Sequence, residues 1–260
     1  MATGTQPKSD LEVLEQGNLY FLYRPKVEQE TVHSTEDIQR IHMVIGPHGR
    51  QWFRLITLGK KSLPDLQTDN QQGWCFVETV TDSAKALEAG LRREVYETKT
   101  RGDRTQPAVR PVGEGVYQLV VDDDGQTRLV YALELPHDLG PAQQALNINQ
   151  TGNYVISIKN PEQPSPEGLG FQQGDRTADF PQDLQDEFRE RTFIAANPPH
   201  FLDYVGAEIL LISTASEDAQ NIGGQLQPQA EDETTSEAIN KLRMRKTRHP
   251  LEPLLTGELT

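Results

Sequence analysis

Two stretches of this chain read as the same piece of structure. "IHMVIGPHGRQWFRLITL", Ile41 to Leu58, aligns without a gap to "YQLVVDDDGQTRLVYALE", Tyr117 to Glu134. Ile41–Gly49 falls on Tyr117–Gly125, and Trp52–Leu58 falls on Arg128–Glu134. Each is a β-rich run, a break ("GPHG" or "DDDG"), and a second β-rich run, which is the pattern of a hairpin. Leu63-Pro64-Asp65-Leu66 follows the first, and Leu135-Pro136 with Asp138-Leu139 follows the second. A third strand comes next in each, Trp74–Val80 and Tyr154–Lys159. A hairpin, a polar crossover and a strand thus occur twice, as an old duplication would leave them. Glycine-turn hairpins are common enough for chance to do the same.

The remaining elements are fewer. Leu19 to Arg24 in "GNLYFLYRPK" reads as a first strand after the Gly17-Asn18 turn, limited by Pro25, which has no N–H to donate. "NLYF" is part of a protease-tag scar, but Leu22 stands where that scar would have Gln. "AEILLIST", Ala207–Thr214, is the last dense apolar run. Helices are short: "AKALEAGLRREV" capped by Asp82 or Ser83, "GPAQQALNI", and "FPQDLQDEFRERTF" with Pro181 in its first turn. The expected fold class is α+β, mainly antiparallel hairpins with a few short helices. It lacks the regular βαβα rhythm of a parallel sheet. The folded region is set at 17–214, with lobes at 17–97 and 116–214. Residues 1–16 and 215–260 read as disordered tails, the latter with a nascent helix near 235–248 that could fold onto a partner.

Composition bounds the function. The net charge is −14, and residues 1–110 are balanced, with fifteen basic and fifteen acidic side chains. Residues 111–260 carry ten basic and twenty-four acidic ones. That excess opposes loose binding to nucleic acid or anionic lipid and suits solubility or a basic partner. Mean hydropathy is −0.63. No stretch approaches the roughly 20 apolar residues that span a bilayer, and MATGTQPKSD lacks a signal-peptide core. A lone cysteine, Cys75, forbids an internal disulfide, so a cytoplasmic protein is expected.

Catalytic motifs are weak. Cys75 lies in a strand with no local base. Six scattered histidines show no paired zinc spacing, so neither metal nor cofactor is expected. Gly59–Ser62 lacks the first glycine and the following helix of a phosphate loop. "DDDG" lacks calcium-loop spacing, and Arg101–Asp103 is a chance tripeptide. Pro64-Asp65 with Glu97-Thr98-Lys99 resembles the restriction-type nuclease pattern, but the intervening strand and helix come in the wrong order.

The informative feature is a basic loop. Arg92, Arg93, Lys99, Arg101, Arg104 and Arg110 stand against three acids. With Lys60 and Lys61 they could form an anion-binding surface, or a solvated loop facing the acidic second half. Glu114 is a candidate acid or base, and Tyr117 and Lys159 are candidate ligand contacts. Two functions follow: a non-catalytic binding or scaffold protein, with a protein partner at the C-terminal tail, or an enzyme or receptor for an anionic small molecule or phosphate ester. If these residues converge on one concavity, the second gains.

Overall fold

The computed structural model describes residues 11–100, 102–165, 177–214 and 226–260. Its strands are β1 (Glu12–Pro25), β2 (Ile38–Pro47), β3 (Phe53–Leu58), β4 (Gln72–Thr81), β5 (Glu94–Thr98), β6 (Gly102–Gln106), β7 (Arg110–Val121), β8 (Thr127–Leu135), β9 (Thr151–Lys159), β10 (Phe193–Ala195) and β11 (Glu208–Ser213). Eight of them close into an antiparallel barrel, in the order β1-β2-β3-β4-β11-β9-β8-β7 and back to β1. β10 adds to the outside edge of β9, and β5 and β6 form a separate hairpin.

This corrects the α+β expectation. The chain is 39% strand against 15% helix, and its hairpins are staves of one closed sheet. The hairpins β2–β3 and β7–β8 are local, so their turns reveal them. The seams are not local. Leu19 pairs with Gly115 across β1–β7, and Cys75 pairs with Ile209 across β4–β11. Closure satisfies the edge N–H and C=O groups that open hairpins would leave bare.

Strand alternation divides the side chains. Leu19, Phe21 and Tyr23 of β1 point inward with Ile41, Met43, Ile45, Tyr131, Tyr154 and Ile209, so the barrel is filled rather than hollow. Gly152 is required here: a Cβ would run into the Tyr131 ring. Tyr20 and Leu22 point outward but are also buried, together with Val44, Leu55 and Leu135. Two elements cover them. One is α1 (Ala84–Leu91), capped by the Ser83 hydroxyl, which accepts from Ala86 N at 3.1 Å.

The other cover is the C-terminal segment. Residues 1–10 and 215–225 lie outside the described residues, but 226–260 pack on the barrel rather than forming the expected tail. Among the described residues the α-helices after α1 are α2 (Pro141–Ala145), α3 (Gln182–Asp186), α4 (Glu237–Asn240) and α5 (Glu252–Leu255), the last two in this segment. Ala238, Leu242, Met244 and Leu254 are buried against Tyr20, Leu22 and Val44. A thin apolar face cannot hold a helix in water, but it suffices when a barrel wall supplies the other half of the contact.

Leu242→Ala is therefore expected to cost about 2–5 kcal/mol. At roughly 2–4 °C per kcal/mol for a chain of this size, thermal unfolding would show a drop of several degrees or more. An unchanged Tm would mean that the segment is not packed.

Candidate functional site

The residues singled out in the sequence do not converge. Lys60 and Lys61 sit in the β3–β4 loop; their Nζ atoms donate to the Gln72 and Glu36 carbonyls at 3.2 and 3.4 Å. Arg104, on β6, pairs with Glu28 at 3.5 Å. Arg101 lies outside the described residues. Tyr117 and Glu114 share β7 but serve different partners. Tyr117 donates inward to Glu15 Oε1 at 2.8 Å. The Glu114 carboxylate accepts from Ser236 Oγ, Glu237 N and Ala238 N at 2.7, 3.0 and 2.9 Å. Lys159 is buried at the end of β9 and donates to the Asn160 and Gln163 carbonyls at 3.0 and 2.7 Å. Burial pushes its pKa below the usual lysine value, with Glu208 opposing.

Arg110 is different. It opens β7, where the chain returns from the β5–β6 hairpin, and pairs with Tyr23 at the end of β1. Its side chain is 2% exposed. Its Nη2 donates to the Glu30 carbonyl at 2.6 Å, and its guanidinium lies 5.8 Å from the centre of the Tyr23 ring. Nε and Nη1 are buried with no hydrogen-bond partner among the described residues. Burial lowers its pKa, while Tyr23, Glu30 and Glu252 oppose the shift. A buried guanidinium with two orphaned N–H edges is costly to a fold.

That side chain lines a cavity of about 420 Å³, together with Arg92, Arg93, Lys246 and Arg248, the carboxylate of Glu30, and the small apolar walls Pro107, Ala108 and Pro250. Arg110 forms the buried floor, and the other four basic residues are exposed at the rim. Arg93 pairs with Glu30 at 3.3 Å, and Arg248 with the buried Glu88 at 3.1 Å. The basic loop contributes Arg92, Arg93 and Arg110. Lys246 and Arg248 come from the segment that the sequence reading left unfolded, and with Arg245 they signal only a charged run.

Two buried networks also escaped the sequence. Inside the barrel, Arg54 is fully buried; its Nη1 and Nη2 meet Glu15 at 2.6 and 2.9 Å, and its Nε meets Asp203 at 2.7 Å. Burial disfavours its charge, but Glu15 and Asp203 outweigh that and raise its pKa. Every edge is satisfied, so this network fixes the barrel end. On the outer face His42 Nδ1 lies 2.8 Å from Thr57 Oγ1, and that hydroxyl donates to Glu78. Thr57 is buried and, unlike His42 and Glu78, does not line the neighbouring cavity, so its hydroxyl is not presented there as a nucleophile. Cys75 is buried too, and burial pushes its thiol up. Among the described residues no three His, Cys, Asp or Glu side chains gather as a metal would require. No helix there is long and apolar enough to cross a membrane.

Burial pushes His42 from 6.5 down to about 4, with Glu78 opposing. Between those values the unfolded chain binds the proton and the folded chain does not. The stability from neutral His42 is thus complete above pH 6.5 and is lost as pH falls through 4. In urea titrations from pH 7 to pH 4, His42→Gln should lose less stability than the parent chain. Parallel losses would contradict this.

Comparison with family models, with curated proteins and with solved structures finds no match to this chain, so the functional argument rests on the site's own residues.

Proposed function

We propose that this chain is a non-catalytic, cytoplasmic binding protein whose ligand is a small anion seated on Arg110. One observation carries the reading: an arginine that is 2% exposed, with Nε and Nη1 unpartnered among the described residues, lines a cavity with four further basic residues. Such clustering stands out in a chain of net charge −14. An anion against this lining would be drawn to the under-satisfied guanidinium and its basic rim.

The second reading, an enzyme acting on a phosphate ester, has less support. Its expected acid or base, Glu114, is engaged by three donors from the C-terminal segment. Tyr117 is turned into the barrel toward Glu15. Neither lines the cavity. A protein partner on the C-terminal segment is likewise less favoured, because the apolar face it would use is turned to the barrel. The acidic charge balance argues against nucleic acid. A buried, unpaired Cys75 suits the cytoplasm.

The test is thermal unfolding with inorganic phosphate, at ionic strength matched with chloride. Ligand at a hundred times its Kd stabilises by about 2.7 kcal/mol, so the parent chain should melt several degrees higher. Arg110→Met should abolish that rise. It should leave the ligand-free Tm equal or higher, because an apolar side chain replaces an incompletely paired buried charge. An unresponsive parent chain, or an equal rise in Arg110→Met, overturns the reading.

A further inference from the structure

We infer that the anion is a compact bis- or polyphosphate, one end on Arg110 and the other on Lys246 and Arg248, so that it bridges the barrel to the C-terminal segment. This rests on the anion-binding reading above and goes beyond it in ligand class and geometry.

The charge count comes first. The lining holds five basic residues, Arg92, Arg93, Arg110, Lys246 and Arg248, against one acid, Glu30, and Glu88 answers Arg248 from behind it, which leaves a surplus of three positive charges. One phosphate group carries about −1.5 to −2 at neutral pH. A single group, at about −1.5 to −2, therefore answers only about half to two-thirds of the surplus. Two linked groups, at roughly twice that figure, match it. The volume, about 420 Å³, lies within the roughly 300–1,000 Å³ of small-molecule sites.

The walls set the class. Pro107, Ala108 and Pro250 are the apolar lining, and no aromatic face stands among the lining residues to stack a base. Single-strand sites rely on such stacking. The lining thus offers charge and no aromatic stacking surface, which favours a small, phosphate-dense ligand over a single strand.

The geometry sets the consequence. Arg92, Arg93 and Arg110 belong to the α1–β7 side of the barrel, whereas Lys246 and Arg248 arrive from the far end of the chain. Near them the segment is held by His249 Nδ1, 2.9 Å from the Val109 carbonyl oxygen, and by Arg248 on Glu88 at 3.1 Å. A ligand touching both sides binds the docked segment more tightly than the undocked one, so ligand binding and docking reinforce each other.

Calorimetric titration of the full chain, in magnesium-free buffer, tests this with inorganic pyrophosphate and inorganic orthophosphate. Pyrophosphate is expected to bind at least tenfold more tightly. Lys246→Gln, at an exposed position, should weaken pyrophosphate about fivefold or more and leave orthophosphate almost unchanged. Arg110→Met should remove both. Equal affinities, or a Lys246→Gln chain that binds pyrophosphate like the parent, would overturn the bridging inference while leaving the anion site standing. If neither anion binds, the anion reading fails with it. Tighter binding of a thymidine oligonucleotide than of pyrophosphate would overturn the compact class.

Discussion

The Glu114 carboxylate holds the structure's outer half in place. It is buried in β7 and accepts Ser236 Oγ and the Glu237 and Ala238 amides at the start of α4. Charge-assisted hydrogen bonds of this kind are worth about 1.5–3 kcal/mol each before the cost of burying the charge. The neighbourhood is crowded with acid: Glu134 accepts from Gln229 N at 2.6 Å, and Tyr20 donates to Glu237 at 3.1 Å. Glu231 resolves the conflict. Burial, then its hydrogen bond and repulsion with Glu114, push it up to about 8, which favours its protonated form among the other carboxylates.

What Glu114 starts, the rest of the segment continues. Leu242 and Met244 settle on the outward face of β1 and β2. Gln143 Nε2 then ties the segment to the barrel end, donating to the Val112 and Pro253 carbonyls at 2.7 and 2.8 Å. β1, paired on both edges, is thereby buried on both faces from Gly17 to Tyr23. The same path carries Lys246 and Arg248 to Arg110. The candidate site is a product of that docking: the barrel supplies an under-satisfied cation, and the segment supplies the charges that make its surroundings attractive to an anion.

Much of the barrel was legible in the sequence and its closure was not. Alternating apolar residues and glycine turns marked β2–β3 and β7–β8, because those contacts are local. Leu19 with Gly115 and Cys75 with Ile209 have no such signature, since nothing in an apolar run names its distant neighbour. "FPQDLQDEFRERTF" looked like the best helix, yet α3 ends at Asp186, and Arg189 and Glu190 take left-handed φ values of 46° and 65°. Ser236 and Glu237 fell in what read as a disordered tail, because their partners, Glu114 and Tyr20, lie over a hundred residues away. Glu114 was visible as a candidate acid, and only the structure reveals it as a cap. Arg110 was visible as one of six basic residues. Its orphaned edges are a tertiary property, set by Tyr23 and the Glu30 carbonyl.

Amide hydrogen exchange on the intact chain tests most directly whether the C-terminal segment is part of the fold. The account predicts protection of the Leu242 and Leu254 amides, which donate to the Glu237 and Leu251 carbonyls at 3.1 and 3.0 Å, approaching that of the barrel strands. Exchange across residues 236–255 at the rate of unstructured chain would contradict it, and would remove Lys246 and Arg248 from the site.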